Sequence, residues 1–295
     1  MINRRRFLAI SAAALASPSH AQPIRRRCYA MGAEISLTLD ADPVEAEHAI
    51  AALRSILEEC EALFSLYRPN SALSELHRKG YFKSPDPTFV SLLTACSAAY
   101  DLTNGRFDPT VQPIWLAASE NEAQHARRLI GWNRVGLTKE LVQLGPDQAL
   151  ILNVIAQGFA TDLVVRALRK AGWEKVLVNI GEYYASGRQR LLGVTDPVHR
   201  LVEVTHLKDR AIATSSADVM RLRSGGAHII DSMGGNAPLW STVSVQAPDA
   251  TTADALSTAF RHASEAEIAA TLAQAAGDGI AICVRPNGKV VMLQG

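Results

Sequence analysis

The chain has 295 residues, a formal net charge of +1 at pH 7 and 48% hydrophobic residues. That length supports a sizeable core, and near-neutrality supplies no bulk field to hold nucleic acid or an anionic membrane surface. The four cysteines, Cys28, Cys60, Cys96 and Cys283, form no CxxC pair, which leaves a zinc or thioredoxin-like centre without support.

The first residues read as an export signal. Asn3-Arg4-Arg5-Arg6-Phe7-Leu8, the apolar run from Ala9 to Ala16 and the small-residue site Ser19-His20-Ala21 predict a signal peptide over residues 1–21. The paired arginines followed by Phe-Leu resemble the twin-arginine signal. The apolar run is far short of the roughly 20 residues that span a bilayer. Residues 22–295 then form the mature, periplasmic chain, with no transmembrane segment. Arg25-Arg26-Arg27 reads as the solvated start of the folded part. Cys28 follows three arginines rather than a small apolar lipobox, so no lipid is expected there.

Taken in chain order, Glu34–Leu39 reads as a strand and Val44–Phe64 as a helix, with Ile50, Leu53, Ile56 and Leu57 at helical spacing behind Asp42-Pro43. A second helix is expected over Pro87–Asn104, ended by Asn104-Gly105. A strand is expected at Leu150–Asn153, and a third helix over Gly158–Ala171, ended by Gly172. Lys175–Ile180, Val202–Thr205, Ala211–Thr214 and Ser241–Gln246 have strand composition, a last helix runs from Asp249 through His262, and Gly279–Val284 and Lys289–Leu293 complete the strands. Cys60 and Cys96 fall within helices, as small buried hydrophobes. The pattern predicts one compact α+β unit of mixed sheets with packed helices.

Asp254 and Thr258 stand four apart among strong helix formers, so both oxygens leave one helix face. A carboxylate with a hydroxyl suits Mg²⁺, although an Asp and a Thr on one helix face are also a routine surface pairing. In Phe107-Asp108-Pro109 an aromatic ring stands beside an acceptor carboxylate, which fits a cofactor ring; the competing reading is that Asp108 caps the segment at Pro109. Tyr67 is open to stacking on a planar ligand ring or to plugging the core. His228, on its own residues, fits a structural histidine or a general base.

The order of motifs resembles the ApbE family, the FAD:protein FMN transferases, over nearly the whole mature chain. Met31-Gly32 is similar to the start of the Met-Gly-Thr element, and Phe64-Ser65-Leu66-Tyr67-Arg68-Pro69-Asn70-Ser71 to the FS-x-Y-x-P-x-S segment. Gly105-Arg106-Phe107-Asp108-Pro109-Thr110-Val111 resembles the G-x-FDPTV signature, and Ile155-Ala156-Gln157-Gly158-Phe159-Ala160-Thr161-Asp162 the Ile-Ala-Lys-Gly-Tyr-Ala-x-Asp helix start. Ala213-Thr214-Ser215-Ser216, His228-Ile229-Ile230-Asp231 and Asp254 to Thr258 continue the order. The resemblance implies Mg²⁺-dependent transfer of FMN from FAD to a threonine of a periplasmic or membrane-attached redox protein, with release of AMP. It places Met31, Tyr67, Arg106, Phe107, Asp108, Gln157 and Ile229 along FAD. It assigns the metal to the side chains of Asp254 and Thr258 with the carbonyls of Val154 and Ser257, and the general base to His228.

The chain departs from the family pattern where the cofactor would sit. Leu152-Asn153-Val154 replaces a Gly-rich approach, an upstream Asp falls at Ile151, and Gln157 stands where the family has Lys or Glu. Asn179-Ile180-Gly181-Glu182-Tyr183 stands for Asn-x-Gly-Gly-Asp, and Asp231-Ser232-Met233-Gly234-Gly235 for Asp-Pro-x-Thr-Gly. Two other readings therefore stand beside transfer: a flavin-binding protein without transferase activity, and a Mg²⁺-dependent FAD pyrophosphatase.

Overall fold

Strands β1 (Ile24–Ala30) and β2 (Ala33–Leu39) form a hairpin whose two-residue turn, Met31-Gly32, has φ of 49° and 76°. Positive φ at both central positions is the turn whose twist matches the flanking strands. In the computed structural model, residues 23–216, 222, 229–234, 237–275 and 278–295 are described. The expected signal peptide and His228 lie outside the described residues.

Helix α1 (Pro43–Phe64) starts at a capping box in which Asp42 accepts from the Val44 and Glu45 amides and Glu45 reaches back to the Asp42 amide, with Pro43 in the first turn. There follow α2 (Ala72–Lys79), β3 (Tyr81–Lys83), α3 (Pro87–Leu102), α4 (Gln112–Leu116), α5 (Glu120–Ala126), β4 (Gly136–Leu137), β5 (Leu141–Gln143), α6 (Ala156–Lys170), β6 (Val176–Asn179) and β7 (Tyr183–Ala185). The chain continues through β8 (Arg190–Asp196), β9 (Arg200–Leu207), β10 (Arg210–Ser216), β11 (Thr242–Ala247), α7 (Ala250–Ala259), α8 (Glu265–Gln274), β12 (Ile280–Val284) and β13 (Val290–Gln294).

The main sheet has eight antiparallel strands in the order β1-β2-β6-β7-β10-β11-β12-β13, beside a three-stranded sheet β3-β5-β4 and the β8-β9 hairpin. Alternation along each strand sorts the side chains. Ile35, Leu37, Val176, Val178, Ala211, Ala213, Val243 and Val245 face α1, α6 and α7 in the principal core. Tyr183, Ile212 and Ile282 face the other way, where the β8-β9 hairpin covers them with Leu192, Val194 and Leu207. The α+β architecture is the one expected.

The segment Leu150–Asn153, expected as a strand, is not one. Leu150, Ile151 and Leu152 are buried and apolar and Asn153 is exposed, but the Ile151 amide donates to the Pro109 carbonyl at 2.7 Å and the Leu150 amide to His77 Nε2 at 2.9 Å, so no ladder forms. A short apolar run reports burial, and a loop can satisfy it as well as a strand. The expected last helix is α-helical only to Ala259 and tightens to a 3₁₀ turn over Phe260–His262. The cysteines are free, with Cys60, Cys96 and Cys283 fully buried.

Candidate active site

Helices α6 and α7 touch at Gly158. A Cβ there would lie 2.3 Å from the Ala250 carbonyl oxygen and 2.8 Å from the Asp254 Cβ, so only glycine permits this approach. Each helix then caps the other. Asp254, on α7, accepts from the Gly158 amide in the first turn of α6 at 3.0 Å, where no side chain of the α6 cap position does so. Asp162, on α6, accepts from the Ala250 and Thr251 amides at the start of α7, at 2.8 and 2.9 Å. Burial raises the pKa of both carboxyls, and the Asp162 charge pushes Asp254 further up; the Gly158 amide opposes this only in part.

Asp254, Ser257 and Thr258 stand on one stretch of α7. Ser257 Oγ donates to the Asp254 carbonyl at 3.0 Å, and Ser215 Oγ, on β10, lies 2.9 Å from Ser257 Oγ and 3.3 Å from Thr258 Oγ1. Gln157, in the first turn of α6, leans its amide over Gly181, where a Cβ would meet Gln157 Oε1 at 2.6 Å. Glu182 is 7% exposed, and its Oε2 accepts from the Thr214 amide at 3.1 Å. Burial, and then the Asp254 charge, hold the Glu182 carboxyl well above the usual carboxylate range. Val154 is half-buried two residues ahead of α6.

The expected FAD residues fall into two further groups. Met31 donates its amide to Glu61, and the other Glu61 oxygen accepts from Arg68, next to the exposed Tyr67. Arg106 donates to Glu267 on α8 at 2.5 Å and lies 3.9 Å from Asp231. Ser232 donates to the carbonyls of Gly105 and Arg106, and the Ile229 carbonyl lies 3.4 Å from His262 Nε2. The 229–234 segment that follows His228 is thereby fastened to the Gly105-Arg106 turn.

Two residues of the G-x-FDPTV-like signature turn inward. The Phe107 ring is in the principal core, 1% exposed. Both Asp108 oxygens are occupied within the chain: Oδ1 accepts from the Thr110 amide and hydroxyl at 2.8 and 2.6 Å, and Oδ2 from the Trp132 amide at 3.2 Å. Asp108 thus does what the capping reading describes. A groove of about 510 Å³ opens between α3, α6 and α7, lined by Ala99, Leu102, Phe159, Arg166 and Thr252 among others. It includes Asp162 but none of Gln157, Glu182, Asp254 or Thr258.

Sequence reasoning gave no role to Asp162, Ser215 or Glu182. Asp162 and Ser215 stood inside quoted motifs, and Glu182 stood out as a departure.

The residues at the helix crossing offer the donor set that Mg²⁺ takes. Asp254 and Glu182 are both more than nine-tenths buried, Ser257 and Thr258 follow Asp254 on α7, and among the described residues no Lys or Arg pairs with either carboxylate. Hard oxygen donors without a compensating cation fit a hard divalent ion.

Fold and site together define an α+β protein that gathers buried oxygen donors where two helices meet the central sheet. The chain belongs to the ApbE family, whose model matches residues 31–283. Among solved structures it is similar to the flavin transferase ApbE from Vibrio cholerae, at 21% identity and a TM-score of 0.78, covering 94% of this chain and 98% of that one. The ApbE protein from Thermotoga maritima is 24% identical with a TM-score of 0.82, over 92% of this chain and 97% of that one. The apo flavinyl transferase ApbE of Pseudomonas stutzeri is 20% identical with a TM-score of 0.76, over 92% and 94%. No curated protein matches the chain.

Proposed function

We propose that this chain is a flavin transferase that moves FMN from FAD to a threonine hydroxyl of a partner protein and releases AMP. The observation that carries the reading is the buried, uncompensated Asp254 at the α6–α7 crossing, in a chain of the ApbE family. Two of the structures it resembles are named as flavin or flavinyl transferases.

Asp254 and Thr258 would hold Mg²⁺ by side chains, with the Val154 and Ser257 carbonyls. Bound there, the ion would neutralise charge on the pyrophosphate oxygens. The threonine oxygen bonds to the phosphorus of the FMN half, the anhydride P–O bond breaks, and AMP leaves. His228 takes the hydroxyl proton. Met31, Tyr67, Gln157 and Ile229 are the proposed contacts to FAD, and Arg106, held by Glu267, presents a fixed positive charge beside them. Phe107 and Asp108 serve by shaping the turn that carries Arg106.

The paired arginines near the start support export, and a periplasmic or membrane-attached redox subunit is the proposed target. Among the described residues no helix is long and apolar enough to cross a membrane. The test is AMP release from FAD: chelating Mg²⁺ or substituting Asp254→Asn should abolish it. Undiminished release in thorough chelator would contradict the metal-assisted route.

A further inference from the structure

Strand β10 runs past the end of β7. Residues 210–212 pair with 185–183, and Thr214 lies beyond the last pair. Its amide therefore has no β7 carbonyl to meet, and the Glu182 side chain reaches across to accept it. That bond uses Oε2 alone. Among the described residues nothing donates to Glu182 Oε1, nor to Asp254 Oδ1, although both side chains are more than nine-tenths buried.

A structural role explains one oxygen of Glu182 and not its charge. A glutamine would accept the Thr214 amide equally well. Instead, a carboxylate is fixed at the Thr214 amide, one residue from Ser215, whose Oγ reaches Ser257 and Thr258 on the helix that carries Asp254, and among the described residues no Lys or Arg pairs with either carboxylate. Ser215, Ser257 and Thr258 supply further oxygens.

Resting on the proposed metal role of Asp254, we propose that Glu182 supplies a second carboxylate to the same divalent-cation site. Two carboxylates match the charge of one dication, and Asp254 alone would leave it half-neutralised. The site of this chain thus binds a bare divalent ion ahead of FAD, rather than depending on the pyrophosphate to complete the ligand set.

The experiment is titration of the purified protein with Mn²⁺ alone, in the absence of any flavin, following free Mn²⁺ by its electron paramagnetic resonance signal. The wild type should bind one ion, and Asp254→Asn should lose it. Glu182→Gln should weaken binding by roughly 10- to 100-fold, the range seen when a supporting group of a metal site is removed. The same variant in chelator should melt no lower than the wild type, because the Thr214 bond persists and the carboxylate repulsion is gone. Glu182→Ala, which cannot restore that bond, should weaken Mn²⁺ binding to the same degree. Wild-type Mn²⁺ affinity in either Glu182 variant, with binding lost in Asp254→Asn, would overturn this inference and leave the metal role of Asp254 standing. Absence of Mn²⁺ binding by the wild type would overturn both.

Discussion

His77 Nε2 accepts the Leu150 amide at 2.9 Å, which requires that nitrogen to be unprotonated. Burial pushes its pKa down to about 4 from the ordinary 6.5. The folded-state value lies below the unfolded one, so above pH 6.5 both states are neutral and the contribution is whole. As pH falls from 6.5 towards 4 the unfolded chain takes up a proton first, and stability is lost, by on the order of 2 kcal/mol. His77→Gln should flatten the urea midpoint across that window, and an unchanged slope would remove His77 from the account. His228, as general base, belongs to the same scale: His228→Ala should lower the transfer rate by roughly 10² to 10⁴ while leaving FAD affinity nearly unchanged. Weaker FAD binding at an unchanged maximal rate would make it a binding residue instead. Asp254 and Thr258 were legible because a four-residue spacing fixes a shared helix face whatever packs on it. Asp108 was not settled by sequence, because a cap and a cofactor acceptor call for the same residue type; only Thr110 and Trp132 decide.

The α6–α7 crossing sets the position of Asp254, and two carboxylates and one glycine maintain it. Gly158→Ala would drive a methyl into the Ala250 carbonyl, a backbone atom that cannot swing aside. The expected cost is about 3 kcal/mol, at the upper end for overpacking, read as a lower urea midpoint together with weakened Mn²⁺ binding as Asp254 shifts. A loss under about 0.5 kcal/mol, the range of a neutral surface change, would show that the helices do not meet as described. Helices were the most legible elements, since Asp42-Pro43, Asn104-Gly105 and Gly172 mark their ends locally. The hairpin strand Ile24–Ala30 was hidden by three consecutive arginines, of which Arg25 and Arg27 are exposed and Arg26 lies half-buried on the opposite face beside Glu47. Helix α2 is only eight residues long, too short for its period to stand out, and Leu150–Asn153 carried burial without a ladder.

At the scale of the whole molecule, the eight-stranded sheet carries the oxygen site on one face and the β8-β9 hairpin on the other. The order of short motifs along the chain identified this architecture better than any single motif, because seven weak matches in sequence constrain one another. The family match spans them. The chain carries Gln157 and Glu182 where the family pattern has other residues, and the proposal is that it still transfers flavin to protein. The direct measurement is intact-protein mass spectrometry of a threonine-bearing flavinylation target incubated with this protein, FAD and Mg²⁺, with AMP followed in parallel. Transfer predicts that the target gains the mass of one FMN, less water, for each AMP released, and that neither occurs with Asp254→Asn. AMP and free FMN appearing together on an unmodified target would make the protein a pyrophosphatase, and tight FAD binding without AMP would make it a flavin carrier; either result would contradict the transferase account.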